Sequence, residues 1–320
     1  MKISAITVSD IVSMMLVLFF ATPLVLVGVV VLVSGVVVVV SELVEPEAEA
    51  ETSDEVVLES GESSILKIFA SSESSIYFPL RVFSIDLSNT LLSVDFTLVS
   101  SYLIGLSNLE SLVLKNANLS SSLIVVAKSQ CGVSLTSIDL VENTISRPVS
   151  DILSFGVFSN LTSLNLSKNS IDPLGNELVK GATFSLQVLD LSYNNISGLS
   201  FFPWLSSTEF SDLKFFSIKG NRLAGSIPEL DFKNLSYLDL SANNFSTVFP
   251  SFKDCSNLQR LDLSSNKFYG DIGASLSLCG KLSFLNLTNN KFVGLVPKLP
   301  SESLQFLYLQ GNDFQGVLPN

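Results

Sequence analysis

Histidine is absent from this chain of 320 residues, and cysteine occurs three times. Basic residues are also few, with 18 Lys and Arg against 30 Asp and Glu. Without histidine, no nucleophile can be activated by a neighbouring imidazole. The sequence also lacks a glycine-rich phosphate-binding loop and the Cys/His spacing of a metal site. These absences argue against an enzyme, and we predict neither a cofactor nor a metal ion.

Negative charge is concentrated near the amino end. Nine acidic residues lie from Glu42 to Glu62, and the next basic residue is Lys67. Removing them from the formal charge of −12 leaves about −3, so the remainder is nearly neutral. Phosphate binding needs a basic face, and we predict no nucleic-acid partner. The acidic, serine-rich residues 42–76 are predicted to be a flexible spacer.

A long apolar segment without any charge runs from Ile11 to Ser41. It exceeds the apolar region of a secretory signal and suffices for a membrane-spanning helix, although Pro23 could divide it into two halves. We predict a signal anchor or a cleaved signal peptide over residues 1–41, with a buried segment as a third interpretation. Lys2 before the segment and the acids after it favour an extracellular location for the rest of the chain.

One sequence pattern dominates the remainder. It reads LSYLDLSANNFSTVFP from Leu235, LQRLDLSSNKFYGDIG from Leu258, LSFLNLTNNKFVGLVP from Leu282 and LQFLYLQGNDFQGVLP from Leu304. Each copy has leucines at positions 1, 4 and 6, Asn at position 9 and Phe at position 11, with a period of 22 to 24 residues. This is the signature of a leucine-rich repeat, in which one short strand per coil stacks into a solenoid. Alternation along the strand points positions 4 and 6 into the core and positions 3 and 5 outward.

The same template fits six times upstream, which predicts ten coils within residues 77–320. Their first positions are 82, 109, 135, 161, 186, 213, 235, 258, 282 and 304. We predict an α/β, β-rich, right-handed leucine-rich-repeat solenoid of about ten repeats.

The asparagine at position 9 both donates and accepts hydrogen bonds, so stacked copies can satisfy turn backbones in neighbouring coils. The first two coils carry Thr90 and Ala117 instead, and we expect them to be the least well braced. The asparagines of the other eight coils are Asn143, Asn169, Asn194, Asn221, Asn243, Asn266, Asn290 and Asn312.

Position 3 of the last five coils supplies an outward column of large side chains. Aromatic residues and arginine predominate in interface hot spots, and concave repeat surfaces are used for binding. The alternative is a glycan-shielded face that binds nothing. The predicted binding residues are Phe215, Tyr237, Arg260, Phe284 and Phe306, with Tyr308 beside the last.

Position 5 supplies a second outward column that is rich in aspartate. Asp239 and Asp262 occupy it in adjacent coils, and carboxylates about 5 Å apart suit a retaining glycosidase. However, Asp is simply the common outward residue of the LDLS strand, where it faces solvent. We therefore predict no catalytic residue.

Seven Asn-x-Ser/Thr sequons occur in the repeats and would accept glycans if the chain enters the secretory pathway. Those at Asn165 and Asn286 fall within predicted strands and are the least favourable. The predicted glycosylation sites are Asn118, Asn160, Asn195, Asn234 and Asn244.

Two of the three cysteines occupy equivalent positions. Cys255 and Cys279 each lie three residues before a position-1 leucine, in adjacent coils. Equivalent positions on adjacent coils are about 5 Å apart, within disulfide reach. We predict a disulfide between these two residues, consistent with an oxidising compartment, and a free thiol at Cys131.

From about Ser84 to Asn320 the residues closely resemble the amino-terminal repeats of plant leucine-rich-repeat receptor kinases, specifically brassinosteroid receptors of the nightshade type. The resemblance is carried by segments such as SLQVLDLSYNNISG and LAGSIPELDFKNLSYLDLSANNFSTVFPSFKDCSNLQ, which include irregular inserts. Continuations like LxGxIP at residues 225–228, 294–297 and 316–319 are similar to the plant-specific repeat. This form implies a second short strand per coil and a twisted superhelix.

Several features of that family have no counterpart in this sequence. Its members begin with a cap holding a Cys pair and a Trp, carry more repeats and a steroid-binding island, and continue into a membrane helix and a cytoplasmic Ser/Thr kinase. We therefore expect neither steroid binding nor kinase activity.

The sequence predicts a truncated, receptor-like ectodomain related to brassinosteroid signalling, at the plasma membrane or in the secretory pathway. Its expected partner is a protein, such as another receptor ectodomain. Two alternatives remain open: a secreted defence-type inhibitor of microbial wall-degrading enzymes, and a non-functional gene fragment.

Overall fold

A computed structural model describes residues 29–33, 36–40, 83–92, 108–120, 134–146, 160–171, 185–198, 210–227, 229–231, 233–272, 276, 278–299 and 302–317. The strands in chain order are β1 (Val29–Val33), β2 (Val36–Val40), β3 (Ser84–Asp86), β4 (Ser111–Val113), β5 (Ser137–Asp139), β6 (Ser163–Asn165), β7 (Val188–Asp190), β8 (Ser197–Gly198), β9 (Phe215–Ser217), β10 (Arg222–Gly225), β11 (Leu230–Asp231), β12 (Tyr237–Asp239), β13 (Asn244–Phe245), β14 (Phe252–Asp254), β15 (Arg260–Asp262), β16 (Tyr269–Gly270), β17 (Phe284–Asn286), β18 (Lys291–Leu295), β19 (Phe306–Tyr308) and β20 (Asp313–Gln315).

One parallel sheet organises the repeats. It contains one strand from each of the ten coils, in the order β3-β4-β5-β6-β7-β9-β12-β15-β17-β19. Each of these strands covers positions 3 to 5 of its coil, and adjacent strands pair at equivalent positions. The described residues contain no α-helix. The predicted β-rich leucine-rich-repeat solenoid of about ten repeats is confirmed.

A hairpin extends this sheet beyond its first coil. Strands β1 and β2 pair antiparallel, and β2 pairs antiparallel with β3. The rest of the predicted signal segment, residues 1–41, lies outside the described residues, as does the spacer at 42–76. Within the described part of the chain, no helix is both long and apolar enough to cross a bilayer. The signal segment and the spacer therefore stay predictions.

Second short strands follow the parallel sheet in the later coils. They form two three-stranded sheets, β13-β10-β8 and β16-β18-β20, and β11 pairs with β14 in the irregular insert. The plant-type second strand is thus present from the fifth coil to the tenth.

The core is a continuous stack of apolar side chains along the inside of the solenoid. Positions 1, 4 and 6 supply it, as with Leu258, Leu261 and Leu263, none more than 1% exposed. Position 11 adds a spine of phenylalanines, in which Phe245, Phe268, Phe292 and Phe314 follow one another with ring centroids 5.9 to 6.1 Å apart. Each coil therefore buries its apolar face against its neighbours.

The position-9 asparagines join each coil to the one before it. Asn266 Oδ1 accepts the backbone N–H of Phe245 at 3.1 Å, and its Nδ2 donates to the carbonyls of Leu240 at 2.9 Å and Leu263 at 3.2 Å. The same three bonds recur from Asn143 to Asn312. The amide satisfies buried turn groups that would otherwise have no partner.

The direction of these bonds corrects the expectation for the first two coils. Because each asparagine reaches backward, the second coil is braced by Asn143, which bonds the backbone of Leu114 and Leu119. Among the described coils that are followed by another, the first lacks such a brace, since Ala117 takes the place of the asparagine. There the N–H of Leu92 donates to the Ala117 carbonyl at 3.1 Å instead.

A second recurring geometry precedes position 9 of every coil. Position 8 adopts a positive φ in all ten coils, between 48° and 68°. This left-handed conformation suits Gly and Asn but strains other residues. The position-8 residues are Asn89, Asn116, Glu142, Lys168, Tyr193, Gly220, Ala242, Ser265, Asn289 and Gly311.

We predict that Asn266→Ala destabilises the protein by about 2–4 kcal/mol, because it leaves three buried backbone groups without their side-chain partner. Urea unfolding of the full chain measures this change. Asn244→Ala is the matched control, since Asn244 is exposed and follows Asn243, another position-9 asparagine. Equal stabilities of the two variants would contradict the bracing role.

We predict that Ala242→Gly stabilises the protein by about 0.5–1 kcal/mol, because relief of left-handed strain outweighs the greater entropy of Gly in the unfolded chain. Ala242 is exposed and has φ 53°. Ala224→Gly is the opposite control, because Ala224 lies in β10 without a positive φ; it should destabilise by about 0.5–1 kcal/mol. Thermal melting measures the two opposite changes in stability. A lower melting temperature for Ala242→Gly than for the native chain would refute the strain argument.

Candidate functional site

The parallel sheet places the predicted binding residues in one row. In the strands of the parallel sheet from β3 to β17 the middle side chain is buried, and in β19 it is half-buried, while the first points outward, so position 3 of successive coils forms a column. Strand pairing puts Phe215 beside Tyr237, Tyr237 beside Arg260, Arg260 beside Phe284, and Phe284 beside Phe306. We call these five residues the aromatic–arginine ladder.

The first half of the ladder is tightly stacked. The rings of Phe215 and Tyr237 lie 4.3 Å apart between centroids at an interplanar angle of 19°. The guanidinium of Arg260 then lies 5.4 Å from the Tyr237 ring centre and 3.4 Å from that of Phe284. A cation between two rings gains from both quadrupoles. Arg260 is thereby held between two aromatic rings.

The second half of the ladder is open. The Phe284 ring is tilted by 48° to Phe306 and by 50° to Tyr308, with centroids 6.1 and 5.6 Å apart. Phe306 is 50% exposed and Tyr308 38%. A cavity of about 400 Å³ lies over this region, lined by Ser236, Tyr237, Gln259, Arg260, Ser283, Phe284, Phe306 and Tyr308. The structure therefore brings five of the six predicted residues around one cavity, while Phe215 stacks behind Tyr237.

Three polar lining residues were not predicted from the sequence. Ser236, Gln259 and Ser283 occupy position 2, one residue before each strand, and this position repeats in every coil. The Ser236 hydroxyl donates to the Lys214 carbonyl and the Ser283 hydroxyl to the Gln259 carbonyl, both at 3.0 Å. They could have been identified from the sequence, because each directly precedes a residue of the aromatic–arginine ladder.

The aspartates at position 5 lie two residues after the ladder positions on the same strands and have a structural role. Asp239 is 3% exposed and Asp262 5%. The Oδ1 atom of each accepts the backbone N–H two residues later, at 2.9 Å for Asp239 and 3.0 Å for Asp262. Asp262 Oδ2 also accepts from Asn286 at 3.1 Å. The two carboxylates thus cap the turns after their strands, which argues against the glycosidase alternative.

Burial raises the pKa of two side chains at the site. Burial raises the pKa of Asp239 above its ordinary value, and the neighbouring Asp262 charge adds to the rise, whereas hydrogen bonds from Ser241 and the charge of Lys219 oppose it. Burial likewise raises the pKa of Tyr237, with a further contribution from Asp239. The tyrosine is therefore a neutral phenol at physiological pH.

The cysteine and sequon positions lie outside the ladder or at its edge. Cys255 and Cys279 are joined by a disulfide with their Cα atoms 4.8 Å apart. Cys131 lies outside the described residues.

Among the predicted glycosylation sites, Asn118, Asn160 and Asn244 are exposed, whereas Asn195 and Asn234 are half-buried. Asn234 also donates its Nδ2 to the Ser211 carbonyl at 2.9 Å. Glycosylation at all five sites remains a prediction.

The sequence matches family models described as leucine-rich repeat over residues 159–177, 185–207 and 233–292. Over 240 residues, 75% of the chain, it is 83% identical to "Systemin receptor SR160" of Solanum peruvianum and 82% identical to "Brassinosteroid LRR receptor kinase" of Solanum lycopersicum. It is 44% identical over 240 residues to "Protein BRASSINOSTEROID INSENSITIVE 1" of Arabidopsis thaliana. In each case the match covers 20% of the relative, so the chain spans about a fifth of its length.

Solved structures share the architecture. The plant peptide hormone receptor RGFR1, in complex with RGF2, aligns with a TM-score of 0.61 and 24% identity over 74% of this chain and 37% of that one. The ectodomain of the Arabidopsis receptor kinase HAESA, in complex with an IDA peptide hormone ligand, aligns with a TM-score of 0.52 and 25% identity over 77% of this chain and 49% of that one. Both are similar in fold to the repeats described above.

We predict that Asp239→Asn stabilises the protein at neutral pH. The raised pKa means that the folded state binds the proton more tightly than the unfolded state, so stability falls as pH rises from 3.8 through the raised value. The amide keeps the bond to the Ser241 N–H but carries no charge. Its advantage over the native chain should therefore vanish below the ordinary Asp pKa.

Thermal melts across this pH range provide the measurement. Asp190→Asn is the control, because Asp190 makes the same turn bond at 2.9 Å but is only half-buried; it should change stability little. A pH-independent gain for Asp239→Asn would show that charge burial is not the cause.

Proposed function

Because this chain is a leucine-rich-repeat protein whose repeats are homologous to those of plant brassinosteroid and systemin receptors, we propose that it is a receptor-type protein-interaction module. It binds a protein partner, such as another receptor ectodomain, through the aromatic–arginine ladder and Tyr308. The repeats act outside the cell or in the secretory pathway. The module itself has no catalytic activity.

The observation that carries this proposal is the change in the outward face along the sheet. Position 3 of the first four coils is serine (Ser84, Ser111, Ser137 and Ser163), whereas the last five coils carry the ladder. Large aromatic side chains that are half exposed around a cavity, beside a held arginine, have the composition of a binding hot spot. No requirement of the repeat itself explains them, since serine serves the same position elsewhere.

The relatives support a recognition role. They are named as receptors for systemin or brassinosteroid, and the HAESA ectodomain is described in complex with a peptide hormone. The peptide complex of HAESA and the composition of the exposed ladder both favour a protein or peptide partner. The turn-capping role of Asp239 and Asp262 further favours binding over hydrolysis.

We test the proposal with the full chain expressed in plant cells and purified in detergent, and with the purified ectodomain of the Solanum lycopersicum relative as probe. Biolayer interferometry is expected to detect saturable binding, and Phe306→Ala should weaken it by at least about 30-fold, the loss expected for a hot-spot residue of about 2 kcal/mol. Phe306 is half exposed, so its truncation should leave folding intact.

Ser137→Ala is the matched control, because Ser137 lies on the same outward face in β5, far along the sheet from the ladder. It should bind like the native chain. Absence of binding, or equal weakening by both variants, would refute the ladder as the contact surface for this partner class.

A further inference from the structure

We infer that the cavity over the ladder recognises a peptide segment in which a carboxylate lies next to a large apolar or aromatic side chain. The inference rests on the proposed function and specifies the chemistry of the partner at that surface. The carboxylate pairs with the edge of Arg260, and the neighbouring side chain enters the open angle formed by Phe284, Phe306 and Tyr308.

The charge of the cavity is opposite to that of the chain. The whole sequence has a formal charge of −12. Among the eight residues that line the cavity, Arg260 is the only charged one, so the lining carries one positive charge. Asp239 and Asp262 are almost fully buried and are not among the residues that line the cavity. An anionic group is therefore the complementary ligand.

The geometry of Arg260 fits a carboxylate. The guanidinium lies between the rings of Tyr237 and Phe284, 5.4 and 3.4 Å from their centres. Its nearest carboxylate contact is long, 4.0 Å from Nη2 to Asp262 Oδ2. That oxygen already accepts from Asn286, and Arg260 Nε is buried without a hydrogen-bond partner. Its side chain is 37% exposed. A ligand carboxylate would provide an acceptor for the exposed part of this side chain, whereas the buried Nε lies out of its reach.

The adjoining apolar part fits a flat or bulky side chain. The rings of Phe306 and Tyr308 are tilted by 48° and 50° relative to the Phe284 ring. The Phe284 ring therefore does not cover their faces. A ligand side chain can enter between them with the offset or edge-to-face contacts that aromatic rings prefer. The cavity of about 400 Å³ lies within the size range of small-ligand pockets.

The polar side of the cavity favours a peptide. The Ser236 and Ser283 hydroxyls use their hydrogens on backbone carbonyls, so their oxygens remain acceptors for partner N–H groups. The Gln259 amide offers both a donor and an acceptor. In contrast, a neutral glycan offers no charged group to Arg260, the one charged residue of the lining. A peptide backbone is therefore favoured over a neutral glycan.

The test uses four capped hexapeptides, Gly-Ser-X-Z-Ser-Gly, in which X-Z is Phe-Asp, Phe-Asn, Phe-Lys or Ala-Asp. Binding to the full chain is measured by microscale thermophoresis. We expect the Phe-Asp peptide to bind at least about tenfold more tightly than the other three, since it alone offers both groups. The Arg260→Gln variant should abolish the preference for Asp over Asn, and Phe306→Ala the preference for Phe over Ala.

Two controls keep the test interpretable. Arg260→Lys retains the charge but loses the planar edge, and it should keep only part of the Asp preference. Thermal melting of each variant shows whether it is folded. Because Phe306 is exposed, the Phe-over-Ala comparison remains informative even if an Arg260 variant does not fold.

Equal binding of the Asp and Asn peptides, tighter binding of the Lys peptide, or no peptide binding would overturn the inference. So would binding of cellohexaose, a neutral oligosaccharide, that Phe306→Ala abolishes. If the receptor ectodomain still binds in a ladder-dependent manner, only the ligand chemistry is wrong. If neither ectodomain nor peptide binds, the proposed function fails as well.

Discussion

The backward-reaching amide of the position-9 asparagine is the interaction on which the rest of this solenoid depends. A coil interior lined by leucine and phenylalanine offers no water to the backbone of the turn, so a side chain must provide both a donor and an acceptor. Asn266 does this for the coil that begins at 235, and its equivalents do so along the array. The turn also requires the left-handed residue just before the asparagine, even where that residue is Lys168 or Tyr193.

This bracing fixes the register of the parallel sheet, and the register creates the candidate site. Arg260 lies between Tyr237 and Phe284 only because the three strands pair at equivalent positions. A shift of one residue in any strand would turn its outward side chain into the core. The buried aspartates contribute to the same geometry, since Asp239 and Asp262 cap the turns that end their strands. The binding face is therefore built on rigid elements rather than on loops.

Much of the fold and part of the site were predictable because a solenoid converts sequence spacing into spatial position. Coils contact mainly their neighbours, so residues one period apart must lie side by side. This rule predicted the ten strands, and it identified the column from Phe215 to Phe306. The same rule misjudged the second coil, because the template does not reveal that each asparagine bonds the coil before it.

The sequence alone determined the repeat, its core positions and the membership of the outward columns, since all three follow from periodicity. Only the tertiary structure decided how those columns behave. Phe215 and Tyr237 stack, whereas Phe284, Phe306 and Tyr308 open into a cavity. Asp239 is buried although its position points outward. Ring tilt and burial depend on the size of the side chains in the coils on either side, and these contacts exist only once the coils have stacked.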